Sequence, residues 1–186
     1  MREDRPIAIT GLKHSGKSSV APRVARALDL PWLDLDEEAL RLMKTQLPQP
    51  SQGGTLRAFY ATYGAQRFRG YELKALRAIL DDRYPAVIAC GGGVCDNTHA
   101  FRLLEESTFI VYLTAAFDRL WERIAAGGIP PFLKGEDPHS AFLSLAQRRD
   151  ELYRRVAKEL VPVDGRTVAE AAALIVEAVK ENSNAR

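Results

Sequence analysis

The chain has 186 residues and a formal charge of +2, enough length for one domain and too little positive charge to indicate a nucleic-acid partner. No segment resembles a signal peptide, and no apolar run approaches the ~18 residues of a membrane span. We therefore expect a cytoplasmic protein without a membrane partner. The histidines and cysteines form no zinc pattern, and Cys90 and Cys95 are expected to be reduced thiols.

Strand-like and helix-like patterns alternate along the sequence. The runs at 85–90 and 108–113 are continuously apolar, which is typical of parallel strands covered on both faces. A capping-box sequence at Thr167 and Glu170 predicts the start of the last helix. The pattern as a whole predicts an α/β fold with a parallel sheet. The predicted strands are 6–10, 31–34, 85–90, 108–113 and 159–163, and the predicted helices are 17–28, 37–46, 55–63, 65–82, 97–106, 116–125, 138–156 and 168–181.

The first predicted strand leads directly into a glycine-rich loop at 11–18, which fits the pattern G-x-x-x-x-G-K-S. Because a helical pattern follows, this is the strand–loop–helix context in which backbone N–H groups surround a phosphate. Lys17 is expected to contact the β- and γ-phosphates, and the Ser18 hydroxyl is expected to ligate Mg²⁺. A chance match in such a chain is on the order of one in a hundred. The sequence therefore predicts a nucleoside-triphosphate site.

Two carboxylates, Asp34 and Asp36, stand at the end of the second predicted strand. The strand at 85–90 lacks a Walker-B aspartate, and no Asn-Lys-x-Asp motif for guanine is present, so a carboxylate that supports Mg²⁺ must come from elsewhere. Alternation along a strand would direct both carboxylates to the crevice where α/β proteins bind ligands. Capping of the next helix is an alternative or additional role for Asp36.

Three further features of the sequence are candidates for ligand contacts, and the first two have an ordinary alternative. Arg69 and Glu72 share one face of a predicted helix within F-R-x-x-E, where a surface ion pair would also explain them. The run 91–93 is Gly-Gly-Gly, which allows a ligand to approach the backbone but would also suit a tight turn. The loop at 126–140 is rich in Gly and Pro, which is typical of a lid.

Taken in order, these motifs resemble the shikimate kinase family over nearly the whole chain. The set is G-x-x-x-x-G-K-S, D-x-D at 34–36, F-R-x-x-E at 68–72, G-G-G at 91–93 and R-x-x-L-Y at 149–153. The resemblance implies a three-layer P-loop kinase fold with a five-stranded parallel sheet, in a single domain spanning 1–186. It further implies a substrate-binding helical region at about 35–82, a flexible lid at about 126–140, and a monomer that uses ATP and Mg²⁺ to phosphorylate the 3-hydroxyl of shikimate.

The resemblance also implies roles for individual residues. Asp34 would hold Mg²⁺ through water, Asp36 would bond the hydroxyl that receives the phosphoryl group, and Arg123 would lie against adenine. Arg69 and Arg149 would pair with the shikimate carboxylate, for which planar guanidinium groups are well suited. The implied residues are Lys17 and Asp36 for catalysis; Gly11, Leu12, Lys13, His14, Ser15, Gly16, Lys17, Ser18, Ser19, Arg123 and Arg166 for ATP; Asp36, Arg69, Gly91, Gly92, Gly93 and Arg149 for the substrate; and Ser18 and Asp34 for the metal.

Two positions depart from the family pattern. Pro130 stands where the lid sequence Arg-Pro-Leu-Leu has its arginine, and His14 stands where the phosphate loop usually has a further glycine. Loss of a partner for the developing charge typically costs about 10²–10³ in rate. Lys134 is a candidate replacement cation, unless it is simply a solvated lysine on the lid. Two alternative functions therefore stay open: a ligand-binding protein with weak or no phosphoryl transfer, and a kinase for another hydroxylated acid such as gluconate.

Overall fold

A computed structural model describes residues 5–51, 53–81, 85–133 and 135–184. These ranges contain five strands and seven helices, and two short 3₁₀ turns follow β3 and α5. The strands are β1 (Ile7–Gly11), β2 (Trp32–Asp34), β3 (Val87–Ala89), β4 (Phe109–Thr114) and β5 (Glu159–Pro162). The helices are α1 (Lys17–Leu28), α2 (Leu35–Gln46), α3 (Leu56–Asp81), α4 (Thr98–Ser107), α5 (Phe117–Gly127), α6 (Pro138–Val156) and α7 (Val168–Asn184), and the 3₁₀ turns are Val94–Asp96 and Pro131–Leu133.

All five strands are parallel and follow the order β2–β3–β1–β4–β5 across the sheet. The central strand β1 aligns Ile9 with Ala89 on one side and with Val111 on the other. Every residue of β1 is buried, as expected of a parallel sheet with helices on both faces. This order brings the carboxyl ends of β2, β3 and β1 side by side, where ligands of α/β proteins bind.

The helices form a layer on each face of the sheet. Helices α1 and α7 cover one face, with Val24 and Ile175 fully buried there against alternate side chains of the strands. Helices α2 to α6 cover the other face, which buries Met43, Phe59 and Leu104. The predicted three-layer α/β fold with a five-stranded parallel sheet is confirmed.

The start of α2 differs from the prediction. This helix begins at Leu35, two residues earlier than predicted, and Asp34 is its N-cap. Asp34 Oδ1 accepts from the backbone N–H groups of Asp36 at 3.0 Å and Glu37 at 3.3 Å. The interpretation that Asp36 is the cap and lies on a strand with Asp34 is therefore wrong, because the chain enters the helix directly after Asp34. Asp36 lies in the first turn of the helix instead.

Other boundaries follow the sequence pattern more closely. A break was predicted between helices at 55–63 and 65–82, and Gly64 has non-helical angles (φ 80°, ψ 166°) within α3, while residue 82 lies outside the described residues. The predicted capping box is present, since the Glu170 N–H donates to Thr167 Oγ1 at 3.2 Å and the Thr167 N–H donates to Glu170 Oε2 at 2.7 Å. Within the described ranges, no helix is both long and apolar enough to cross a membrane.

Candidate active site

The phosphate loop leaves the carboxyl end of β1 and ends at the first turn of α1. Gly16 is the N-cap, has a left-handed conformation (φ 93°), and provides no side chain to cap the helix. The first N–H groups of α1 are therefore available to an anion. His14 also has a positive φ of 64°, which costs a non-glycine residue more than it costs glycine. The position that departs from the family pattern thus has a backbone conformation suited to glycine.

The side chains within this loop offer hydrogen-bond donors to a ligand. Lys17 Nζ donates to the carbonyl oxygen of Leu12 at 2.8 Å. Burial lowers the pKa of Lys17 to about 8, an effect that the carboxylate of Asp36 opposes. The Ser15 hydroxyl is buried and has no hydrogen-bond partner within the part of the chain that the structure describes. A buried ammonium, an unpaired hydroxyl and an uncapped helix start fit the triphosphate of ATP.

A hydroxyl and a carboxylate lie together at the edge of the phosphate loop. Ser18 Oγ donates to Asp34 Oδ2 at 3.3 Å, while Asp34 Oδ1 caps α2. Among the described residues, no group of three or more His, Cys, Asp or Glu side chains could hold a metal ion. Mg²⁺ in kinases usually keeps several waters and binds one or two protein groups together with phosphate oxygens. The Ser18–Asp34 pair fits a site of that kind.

Asp36 lies between the phosphate loop and β3. Burial of its carboxyl group raises its pKa to about 6, and the carboxylate of Asp34 adds to this, while the ammonium groups of Lys17 and Lys13 oppose it. Asp36 is therefore largely ionised at neutral pH and can accept a hydrogen bond from a substrate hydroxyl. The ammonium groups of Lys17 and Lys13 are close enough to Asp36 for their charges to lower its pKa.

Each of the three glycines after β3 lies against a different part of the site. A Cβ on Gly91 would lie 2.5 Å from Asp36 Oδ1, and one on Gly92 would lie 2.9 Å from the backbone nitrogen of Lys13. A Cβ on Gly93 would lie 3.0 Å from Arg149 Nη2. The backbone at 91–93 therefore forms a surface that contacts a carboxylate, the phosphate loop and a guanidinium group, and side chains there would displace these groups.

Helix α6 supplies Arg149 to this surface. Arg149 Nη1 donates to the Gly92 carbonyl oxygen at 3.2 Å. On its other side, Nη2 and Nε donate to Asp96 Oδ2 at 2.6 Å and 3.2 Å. The guanidinium group is therefore fixed in place before any ligand binds.

Helix α3 supplies Arg69, one turn from a buried carboxyl group. Asn97 Nδ2 donates both to the Arg69 carbonyl oxygen and to Glu72 Oε2, each at 2.8 Å. Burial raises the pKa of Glu72 to about 7, whereas the hydrogen bond from Asn97 and the charge of Arg69 lower it. Within the described residues, Glu72 forms no salt bridge to Arg69. The alternative of a surface ion pair is wrong, because Glu72 is buried and bonded to Asn97.

The remaining predicted residues lie around the nucleotide side and the lid. Arg123 Nη1 donates to the His14 carbonyl oxygen at 2.9 Å, which joins α5 to the phosphate loop. Arg166 follows β5, and its Nη1 donates to the Pro162 carbonyl oxygen at 3.1 Å. Pro130 is buried and shares a small cavity with Lys13 and Arg149. Lys134, the candidate replacement cation, lies outside the described residues.

Two polar residues of this region, Asp96 and Asn97, were not singled out from the sequence. They lie three and four residues after the glycine run, at the end of the 3₁₀ turn and at the N-cap of α4, where an aspartate and an asparagine are ordinary turn and helix-cap residues. Their partners are 53 and 28 positions away along the chain, so no local pattern could identify these contacts.

The phosphate loop at the central strand, the two nearby carboxylates and Arg149 at the glycine run are groups typical of a P-loop kinase for a small molecule. The sequence model of the shikimate kinase family matches residues 13–180. The chain belongs to the shikimate kinase family, and it is accordingly an enzyme of the transferase class.

Individual relatives agree with the family match. A shikimate kinase of Rhizobium meliloti is 31% identical over 149 residues, which cover 80% of this chain and 72% of that protein. A shikimate kinase of Chlorobium limicola is 30% identical over 200 aligned positions, covering 100% of this chain and 94% of that protein. The structure of the shikimate kinase from Acinetobacter baumannii in complex with shikimate has a TM-score of 0.81 and 26% identity, with 96% of this chain and 94% of that chain covered.

Proposed function

We propose that this chain transfers the γ-phosphoryl group of ATP to the 3-hydroxyl group of shikimate. The observation that carries the proposal is the glycine run 91–93, which brings Asp36, the phosphate loop and Arg149 together at the carboxyl end of β3. A hydroxyl acceptor, a phosphate site and a carboxylate anchor are the three functions that such a transfer requires.

On the nucleotide side, Lys17 would contact the β- and γ-phosphates, and the N–H groups of 11–16 and the first turn of α1 would surround them. Mg²⁺, when bound, supplies neutralisation of the phosphate charge; Ser18 would ligate it directly and Asp34 through water. Arg123 and Arg166 would contact the nucleotide beyond the loop. The remaining proposed nucleotide contacts are Gly11, Leu12, Lys13, His14, Ser15, Gly16 and Ser19.

On the substrate side, Arg69 and Arg149 would bind the carboxylate, because a guanidinium group can donate two parallel hydrogen bonds to it. Asp36 would accept a hydrogen bond from the attacking hydroxyl and so orient it toward the γ-phosphate. Gly91, Gly92 and Gly93 would contact the ring of the substrate. Phosphoryl transfer needs mainly positioning and stabilisation of charge, and these contacts would supply the positioning of the substrate.

The proposal also covers the domain organisation, oligomeric state, partners and location of the protein. The chain would work as a monomeric single domain, with the helical region at about 35–82 enclosing the substrate and the segment at about 126–140 closing as a lid. The low net charge supports action without nucleic acid or membrane, and the free thiols support a cytoplasmic location.

The test is an ADP-release assay with shikimate, quinate and gluconate as separate acceptors. We expect turnover with shikimate that far exceeds turnover with the other two acids. Binding of ATP and shikimate in calorimetry without ADP release would instead establish the alternative of a binding protein, which the missing lid arginine at Pro130 favours. Preferential turnover of gluconate would show that the substrate is a different hydroxylated acid.

A further inference from the structure

The guanidinium group of Arg149 has an ionic partner within the protein. Asp96, the last residue of the 3₁₀ turn after the glycine run, accepts from Arg149 through Oδ2 at 2.6 Å and from Arg148 Nη2 through Oδ1 at 2.8 Å. The Arg149 and Asp96 side chains are each only 15% exposed, whereas Arg148 is 53% exposed. The Asp96–Arg149 bond is therefore the more shielded of the two, where an ion pair is stronger than at the surface.

The contacts of Arg149 leave part of its hydrogen-bonding capacity free. A guanidinium group carries five N–H donors. One of them, on Nε, and one on Nη2 bond to the same oxygen of Asp96, and one on Nη1 bonds to the Gly92 carbonyl. One N–H on each terminal nitrogen has no acceptor among the described residues, so Arg149 keeps donors for a ligand carboxylate. Asp96 and the Gly92 carbonyl thus hold Arg149 through three of its donors, and the other two can serve a ligand.

The charges of Asp96, Arg148 and Arg149 also indicate that this region can bind a carboxylate. Burial alone would raise the pKa of Asp96, but the hydrogen bonds and charges of Arg149 and Arg148 outweigh it and hold the pKa below its usual range. Asp96 is therefore ionised at neutral pH. One carboxylate between two guanidinium groups leaves a net positive charge, which matches a substrate with a single carboxylate.

The next residue contacts the backbone of the second arginine. Asn97 Nδ2 bonds to the Arg69 carbonyl oxygen, so two consecutive residues hold the guanidinium of Arg149 and the backbone of Arg69. The turn after the glycine run therefore contacts both of the arginines assigned above to the substrate carboxylate.

We propose that Asp96 is a positioning residue that determines affinity for a carboxylate-bearing substrate by holding Arg149 in its binding orientation. This inference rests on the proposed function, because it takes Arg149 as the carboxylate anchor. Asp96 acts through Arg149 and does not touch the reacting atoms. Its removal should therefore affect substrate binding and leave the chemical step intact.

The experiment compares wild type with Asp96→Asn by steady-state kinetics and by calorimetric titration with shikimate. We expect KM and the dissociation constant for shikimate to rise about 10-fold or more, with kcat and the KM for ATP nearly unchanged. Asp96→Glu, which keeps the charge, should lose less affinity than Asp96→Asn, and it provides the same comparison if the Asn variant does not fold.

Two controls separate positioning from general damage. Glu106→Gln removes the charge from another carboxylate bound to an arginine, where Arg102 Nε donates to Glu106 Oε1 at 2.7 Å on the exposed face of α4, and should change shikimate affinity by no more than about two-fold. An analogue of shikimate in which a hydroxymethyl group replaces the carboxylate should bind equally weakly to wild type and to Asp96→Asn.

Three results would overturn the inference. The first is unchanged shikimate affinity in Asp96→Asn. The second is tighter shikimate binding in that variant, which would make Asp96 a competitor of the substrate. The third is an equal loss of affinity for the neutral analogue. Failure of wild type to bind or phosphorylate shikimate would contradict the proposed function as well. Normal wild-type behaviour with an unaltered Asp96→Asn variant would contradict only the role of Asp96.

Discussion

Gly91 and Asp36 approach each other so closely that a Cβ at position 91 would lie 2.5 Å from Asp36 Oδ1 and 3.0 Å from Oδ2. Gly91 lies two residues after the buried end of β3, whose backbone is fixed by pairing with β1 and β2. Asp36 lies in the first turn of α2. An added methyl group would therefore displace the carboxylate more readily than it would shift the sheet.

Gly91→Ala should lower kcat by about 10- to 100-fold, because displacement of the orienting carboxylate by a fraction of an ångström misaligns the attacking hydroxyl. Gly70→Ala is the matched control, since Gly70 is helical and an added Cβ would have no neighbour within 4 Å. The control should retain its turnover and be slightly more stable, because alanine favours a helix. Wild-type turnover in Gly91→Ala would show that the close approach of Gly91 to Asp36 is not needed for catalysis.

Arg69→Ala and Arg149→Ala should each raise the KM for shikimate by roughly 10- to 150-fold while the KM for ATP stays unchanged. Each variant loses a charged donor to the substrate carboxylate. Arg102→Ala is a suitable control, because Arg102 bonds only to Glu106 on the exposed face of α4 among the contacts described. Equal weakening of ATP and shikimate binding would indicate damaged folding rather than loss of a substrate contact.

Lys17→Met should greatly weaken ATP binding in calorimetry, because the site loses its buried ammonium group. In wild type, the pKa of Lys17 is lowered by burial to about 8, so the affinity for ATP should fall as the pH rises above that value. The Met variant should bind weakly at every pH. Lys180→Met, at an exposed position of α7, should behave as wild type. A variant of Lys17 that retains normal affinity would show that the ammonium group does not contact ATP.

The acid side of the pH profile should report Asp36. Its pKa is raised by burial to about 6 and the ionised form is needed, so kcat/KM for shikimate should fall as the pH decreases through about 6. Glu72 has a raised pKa of about 7 and could produce a similar decline. The profile of Glu72→Gln distinguishes them: the decline should persist in this variant, and its disappearance would assign the titration to Glu72.

The stability of the same variant should depend on pH differently from that of wild type. Burial raises the pKa of Glu72 from 4.5 to about 7, so its contribution to stability is fully present below about 4.5 and is lost as the pH rises through about 7. We therefore compare the free energy of unfolding of Glu72→Gln with that of wild type at each pH. The difference should shift in favour of the variant by on the order of 2–3 kcal/mol when the pH is raised from 4 to 8. Denaturant unfolding at both values measures this. Glu105→Gln, at an exposed position, should show no such gain.

Local patterns predicted the fold and the phosphate loop well, because a parallel core strand, a glycine-rich turn and a helix start each depend on neighbouring residues. The alternative role of Asp36 as the cap of α2 was wrong, because whether Asp34 or Asp36 caps this helix depends on where the chain leaves the sheet. Asp96 was not singled out from the sequence, because its role depends on a contact with Arg149, which is 53 positions away along the chain. Binding roles stay predictions for the same reason: a sequence pattern identifies suitable groups but not the ligand between them.

The most direct test of the central claim is product analysis by ³¹P NMR after incubation of the enzyme with ATP, Mg²⁺ and shikimate. We expect equal amounts of ADP and shikimate 3-phosphate from wild type. We also expect almost no product from Asp36→Asn, a variant that should still bind both ligands in calorimetry. ADP formed without phosphoshikimate, a phosphate on another hydroxyl, or normal turnover by Asp36→Asn would contradict the account.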